Sequence, residues 1–281
     1  MVKYAYLNSK YVNFKDAKVH IEDRGLQFSD SVYEVVAFFN KKLIDFEFHI
    51  KRLKYSLGEL EIKYIVNKKK LNNIFNKLID LNNINNGIIY LQITRGVQPR
   101  DHVYRDNLKQ NIIIYARNTN FNFPKKKFKG QKAITYKDLR WKRRDIKTVS
   151  LLPNVLAKKE AAKNNAYEAI LIDNEKITEA TSSNVWIVKN NVLITHPSNT
   201  DILKGITRET IKKLIKKNKL IVKEKSFTKK ELYSADEVFI TSSSSFVTPI
   251  IKIDSKLIHK GKIGNITLQL AILYKNLFIN E

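Results

Sequence analysis

The sequence predicts a mixed α/β chain of two domains joined by one linker, and three observations predict it. Strand-like and helix-like hydrophobic periods interleave along most of the chain. The periodicity fails over residues 117–130, RNTNFNFPKKKFKG, where turn formers, Pro124 and a lysine run replace it. The length of 281 residues lies near the size at which one core stops growing and chains divide. The expected organisation is a small α/β domain over 1–119, a linker over 120–129 and a larger domain over 130–281, with a ligand cleft between the two domains.

Taken in order, YAYLN (4–8) and SVYEVVAFF (31–39) read as strands, followed by a short strand within KKLIDF. FEFHIKRLKYSLGEL (46–60) has helical apolar spacing, and VNKKKLNNIFNKLIDL (66–81) repeats it with Leu71, Ile74, Leu78 and Leu81 on one stripe. IIYLQIT then alternates: Ile89, Leu91 and Ile93 face one way, while Tyr90, Gln92 and Thr94 form a polar, aromatic face able to line a site. NIIIYA (111–116) is a further strand. Beyond the linker come strand KAITY, a helix near 154–165, strand EAILID and a strand pair within 184–195. Helix TRETIKKLIKK (207–217), strands IVKEK and EVFITSS, and a helix at about 265–278 complete the reading.

Composition narrows the function classes. The opening MVKYAYLNSKYV alternates like a strand and lacks a signal peptide's apolar stretch; no run of eighteen apolar residues implies a membrane span. Without cysteine there is no disulfide and no thiolate–metal site, which fits a reducing compartment, so a cytoplasmic enzyme is expected. The net charge of +25 raises nucleic acid as a partner. The lysines, however, are spread along the whole chain, and the runs at 68–70 and 125–127 have little of the aromatic interleaving that stacks bases. A lysine-rich composition accounts for the charge, and no specific nucleic-acid binding is expected.

Four stretches could carry chemistry. DRGLQFSDSVYEVV (23–36) reads as a polar loop leading into a strand that bears Tyr33 and Glu34. TRGVQPRDH (94–102) ends a strand in a Gly/Pro loop presenting Arg95, Arg100 and His102, groups suited to a carboxylate. ITEATSSNVWIV (177–188) sets Glu179 in a turn with hydroxyls just after it. LKGITRETIKKLI (203–215) opens a helix with apolar stripe Ile211, Leu214 and Ile215, and its unpaired N–H groups suit an anion. The hydroxyl-rich loop TSSSSFVTP (241–249) could serve the same anion. Each also suits a bland role: a solvated loop, an ordinary turn, or Thr207 capping its helix.

Together the stretches are more specific than singly. EDRGLQFSDSVYEVV, HIKRL, GIIYLQITRG, PRDH, DIKTVSLLPNVLAKKEA, YEAIL, TEATSSNV, THP, LKGITR and FITSS occur in this order from near Tyr4 to the last helix. The ordered set resembles the class IV aminotransferases, the fold-type IV pyridoxal-phosphate enzymes. This family includes D-amino-acid aminotransferases, branched-chain aminotransferases and aminodeoxychorismate lyases.

The resemblance implies a role for each matched residue. Lys147 is similar to the lysine that binds pyridoxal 5'-phosphate covalently and shuttles the substrate's α-proton. Lys142, Lys158 and Lys159 lack that motif position. Glu179 corresponds to the carboxylate facing the pyridine nitrogen, and Arg52 to a phosphate-binding arginine. Ile206 and Thr207 match the helix start that holds the phosphate, Ser243 adds a hydroxyl, and Leu203 packs against the ring. Tyr33, Arg100 and His102 resemble the α-carboxylate trap of the D-amino-acid enzymes, in which the arginine and histidine come from the neighbouring subunit of a homodimer. The implied reaction joins amino acids and 2-oxo acids: D-alanine plus 2-oxoglutarate giving pyruvate plus D-glutamate. Branched-chain and lyase relatives share Lys147, Glu179 and Arg52, so substrate choice rests on the trap. Two departures stand near the site: SDS at 29–31 where GDG is common, and Ala180 where glycine is frequent.

Overall fold

β-branched and aromatic runs form the longer strands, which carry most of the buried sheet residues. In the computed structural model, which describes residues 2–121, 123–124 and 128–279, the chain divides into two units. The first takes Met1–Phe121 and Ile146–Ser150; the second takes Asn122–Asp145 and Leu151–Glu281. Of the expected linker, Asn122 and the run Lys125 to Lys127 lie outside the described residues.

The first unit is built on one antiparallel sheet. Its strands are β1 (Tyr4–Leu7), β2 (Lys10–Asn13), β3 (Ser31–Phe39), β4 (Lys42–Leu43), β5 (Gly87–Thr94) and β6 (Asn111–Asn118), in the order β2-β1-β6-β5-β3-β4. Three helices accompany it: α1 (Arg24–Phe28), α2 (Phe46–Glu59) and α3 (Lys68–Leu81). The apolar faces of the two longer helices, including Leu53, Leu57, Leu71, Phe75 and Leu78, join Val36, Phe38, Ile89 and Ile114 of the sheet in one core. Leu71, Ile74 and Leu78 of the expected stripe are buried, whereas Leu81, the last residue of the helix, is only half-buried. Where a loop was expected at the start of DRGLQFSD, the Asp23 side chain accepts from Gly25 N at 2.7 Å and caps α1.

The second unit has a nine-stranded mixed sheet. Its strands are β7 (Gln131–Lys137), β8 (Glu168–Asp173), β9 (Lys176–Ala180), β10 (Asn184–Lys189), β11 (Val192–Thr195), β12 (Ile221–Glu224), β13 (Glu237–Ser242), β14 (Phe246–Ile253) and β15 (Lys256–Leu257). The order is β12-β11-β10-β13-β14-β7-β8-β9, with β15 on β14. The pairs β11/β12, β14/β7 and β7/β8 run parallel. Its helices are α4 (Leu152–Lys163), α5 (Ile206–Lys217), α6 (Lys229–Tyr233) and α7 (Asn265–Ile279). On α5 the stripe Ile211, Leu214 and Ile215 is buried, as its spacing requires.

The structure corrects two local readings. Glu179 lies on β9 and not in a turn; the turn is Thr181 to Ser183, and β9 was hidden because its four residues up to Glu179, KITE, carry too little apolar alternation. The stretch 241–249 is a loop only over Ser243 to Ser245, since Phe246 onward is the buried strand β14. The mixed α/β class is as the sequence predicts. Among the described residues no helix is long and apolar enough to cross a membrane, and no group of three or more His, Asp or Glu could hold a metal ion.

Candidate active site

Lys147 sits in the segment Ile146–Ser150, which returns to the first unit and pairs with the start of β3. Its backbone is fixed on both sides: Lys147 N donates to Ser56 Oγ at 3.1 Å, and Tyr33 N donates to the Lys147 carbonyl at 3.0 Å. Ile146 anchors the segment in the core. The side chain then runs over β3, and Nζ lies 4.1 Å from the centre of the Tyr33 ring. Tyr33 stacks on Tyr90, and Tyr90 on Tyr115, so the polar face of β5 is the aromatic surface its alternation promised.

One turn of α2 separates Ser56 from Arg52, and another turn separates Arg52 from His49, so all three share a buried face. Opposite them is Glu34, on the β3 face that also carries Val32 and Val36. Arg52 grips Glu34 bidentately, Nε and Nη2 each at 2.8 Å, and His49 Nδ1 lies 2.7 Å from the same carboxylate. Burial alone would raise the Glu34 carboxyl, but the charges and hydrogen bonds of Arg52 and His49 outweigh it and hold it at about 2. Burial pushes His49 below its ordinary value, with Glu34 opposing. Arg52 is thus held in one orientation by a buried carboxylate.

Arg100 and His102 stand exposed on the loop after β5, apart from Tyr33. Both lean on Phe28: the Arg100 guanidinium lies 4.6 Å from the ring centre, and the His102 ring meets it edge-on at 5.4 Å. Among the described residues no hydrogen bond or ring contact joins either to Tyr33. Arg95, read as a third member of that set, is buried instead. Its Nε binds Asp30 at 2.7 Å and its Nη groups bind the carbonyls of Leu60 and Glu61 where α2 ends.

In the second unit the turn after β9 places Glu179 and Asn184 side by side. Glu179 accepts from Arg140, from Asn184 Nδ2 at 3.0 Å, and from Leu203 N at 3.1 and 3.2 Å. Burial pushes its carboxyl up, and Arg140 only partly offsets this. Arg140 is itself held by Asp138, whose Oδ2 lies 2.8 Å from Nη2. The carbonyl of Leu203 accepts from Asn184, so Leu203 is tied to Glu179 through its backbone.

Two residues on, α5 begins without a side-chain cap. Gly205 is the N-cap, and a Cβ there would lie 1.9 Å from Asn184 Oδ1, so a larger residue would push the Asn184 side chain from its place. Thr207 is the second helical residue and not the cap. Its hydroxyl is buried and has no hydrogen-bond partner among the described residues. A buried unpaired hydroxyl beside unpaired helical N–H groups is the donor set a phosphate needs, and the residues present fit a phosphorylated cofactor. Helix α5 packs on β13, the strand leading to the turn that holds Ser243. Of the other lysines near the motif, Lys142 pairs with Asp173, Lys158 meets buried Glu168, and Lys159 is exposed.

Sequence reasoning named Glu34 without giving it a role, and missed His49, Arg140, Asn184 and the Arg24–Asp30 pair. Glu34 carried a signal: a lone carboxylate on the apolar face of a strand requires a cationic partner.

A family model described as amino-transferase class IV matches residues 31–253, and the chain belongs to that family, whose members are pyridoxal-phosphate enzymes. Among relatives, a D-alanine aminotransferase from Listeria innocua is 44% identical over 277 residues, covering 98% of this chain and 94% of that one. The solved branched-chain amino acid aminotransferase of Escherichia coli shares the fold at TM-score 0.92 and 24% identity, over 100% and 96% of the two chains. Another solved branched-chain amino acid aminotransferase, holding pyridoxamine 5'-phosphate, does so at TM-score 0.91 and 23% identity, over 100% and 95%. The mixed α/β fold is thus the fold-type IV aminotransferase fold.

Proposed function

We propose that the chain transfers the amino group of a D-amino acid to 2-oxoglutarate, with D-alanine giving pyruvate and D-glutamate. The observation that carries this reading is the seat of Lys147, pinned by Ser56 and Tyr33 with Nζ at the Tyr33 face, in a chain 44% identical to a D-alanine aminotransferase. Pyridoxal 5'-phosphate, when bound, supplies the electron sink that makes the substrate's Cα–H acidic.

The residues that would hold this cofactor are those of the matched motifs. Lys147 Nζ would bind it covalently, and Glu179 would face its ring nitrogen as a buried carboxylate steadied by Arg140 and Asn184. The Thr207 hydroxyl and the N–H groups of Ile206 and Thr207 would hold the phosphate, with Ser243 and the Glu34-oriented Arg52. Leu203 would pack on the ring. Lys147 Nζ, as a neutral amine, would be the base that takes the substrate's Cα proton. Tyr33, Arg100 and His102 hold the α-carboxylate, which fixes the hydrogen that faces Lys147 and so the hand of the substrate.

The protein works as a homodimer in which one protomer's Arg100 and His102 serve the site of its partner. Their exposure supports this, as do the large apolar side chains Ile21, Leu26 and Val103 exposed in the same unit and Leu152, Val155 and Leu156 on α4. Such apolar surface favours burial between copies. A cytoplasmic location fits the absence of cysteine.

Borohydride reduction followed by peptide mass mapping tests the lysine. The phosphopyridoxyl mass is expected on Lys147 and absent from Lys147→Ala; the label on another lysine overturns the assignment. For the substrate, D-alanine with 2-oxoglutarate yields pyruvate and L-leucine yields no 2-oxo acid, and the opposite preference refutes the D-specific reading.

A further inference from the structure

The loop that carries Arg100 and His102 is exposed, yet its backbone is held by buried side chains. Arg24 is 4% exposed; its Nη1 donates to the Asp101 carbonyl at 2.6 Å and its Nη2 to the His102 carbonyl at 3.3 Å. Arg24 Nε is fixed by Asp30 at 2.8 Å, and Asp30 also holds Arg95. From within the loop, buried Gln98 donates to the Val103 carbonyl at 2.8 Å and accepts from Arg105 N at 3.0 Å. Four backbone groups of one short loop are therefore pegged by two side chains.

Phe28, the last residue of α1, does for the side chains what Arg24 does for the backbone. The Arg24 and Arg100 guanidiniums each lie 4.6 Å from its ring centre, and the His102 ring meets it edge-on. A guanidinium over a ring face is attracted by the quadrupole, and a surface arginine otherwise samples many rotamers. Arg24's charge is met by Asp30, whereas Arg100 has no acidic partner among the described residues.

We propose that Arg24 and Phe28 are positioning residues that set the Arg100–His102 pair in the geometry that receives the substrate carboxylate. This rests on the carboxylate-trap reading above and extends it from the groups that touch substrate to those that aim them. A pair fixed before substrate arrives loses less freedom on binding, which appears in KM.

The test is steady-state kinetics of the holoenzyme with D-alanine and 2-oxoglutarate on Phe28→Leu, Phe28→Tyr, Arg24→Lys, Arg100→Ala and the Phe28→Leu/Arg100→Ala double variant. Phe28→Leu keeps bulk and loses the ring face, and it is expected to raise both KM values about fivefold, the scale of one cation–π contact, with kcat and the visible cofactor band unchanged. Phe28→Tyr restores KM. Arg24→Lys keeps the charge toward Asp30, loses the carbonyl fork and raises KM likewise, so it decides the matter if Phe28→Leu does not fold. The double variant is no worse than Arg100→Ala alone. Independent, multiplying effects in the double variant, or unchanged KM in both Phe28→Leu and Arg24→Lys, overturn the positioning role while leaving the trap intact. An unchanged KM in Arg100→Ala overturns the trap itself and the positioning role with it.

Discussion

Thr207 offers a prediction in which one substitution has opposite signs in two forms of the protein. Its hydroxyl is buried and unpaired among the described residues, and Val has nearly its shape without the polar atom. An unpaired buried hydroxyl costs roughly 1–3 kcal/mol. In the cofactor-free protein Thr207→Val removes that cost, and a gain of about 1–2 kcal/mol raises Tm by roughly 2–8 °C at about 2–4 °C per kcal/mol. In the cofactor-bound protein the same change deletes a charge-assisted hydrogen bond to phosphate worth roughly 1.5–3 kcal/mol. The dissociation constant for pyridoxal phosphate then rises about 10- to 100-fold. Differential scanning calorimetry of both forms, with cofactor titration followed by absorbance, measures both quantities. A Thr207→Val protein less stable than wild type without cofactor, or one binding cofactor within twofold of wild type, refutes the phosphate reading. A packing role alone would give both forms the same sign.

Other consequences concern the scaffold of the site. Glu34 has its folded pKa depressed to about 2, so its stabilisation is complete above the unfolded value and is lost as pH falls through 2. Between pH 6 and 3 the wild type should lose about 2 kcal/mol by urea unfolding through this residue, and Glu34→Gln should lack that component; equal slopes refute the pairing. Glu168 accepts the hydroxyls of Thr181, Ser182 and Ser183, which form the turn between Glu179 and Asn184. Glu168→Ala leaves all three without their acceptor, so calorimetry should show a loss of about 3 kcal/mol, roughly 6–12 °C in Tm. A change under 2 °C would mean water replaces the carboxylate at little cost.

Periodic elements were legible because their signal is local. The α5 stripe, the alternation of β5 and the strand β3 at 31–39 each follow from spacing within one segment. Lys147, Glu179 and the 205–207 helix start were legible only as an ordered set, since a lysine among basic neighbours has no local mark. Arg140 shows the reverse. In DLRWKRRD, Arg140, Lys142, Arg143 and Arg144 look alike, yet the Arg140 and Arg144 side chains are buried against acids, while Lys142 is exposed and Arg143 is half-buried beside Asp145. Only the fold brings Glu179 to Arg140, and pairing across thirty-nine residues leaves no spacing to read. Arg95 was misread for the same reason: its partners Asp30, Leu60 and Glu61 lie far off in sequence.

The return of Ile146–Ser150 to the first unit has a consequence for anyone who would cut and recombine this chain. A chimera joined between residues 121 and 122 looks like an exchange of whole units, but it would supply the lysine from one parent and its seat, Tyr33 and Ser56, from the other. On a ribosome the same geometry means that the N-terminal sheet can form early, while its Lys147 segment arrives only after some twenty-five further residues have been made. Grafts meant to keep activity should therefore carry 146–150 together with 1–121, as one discontinuous cassette.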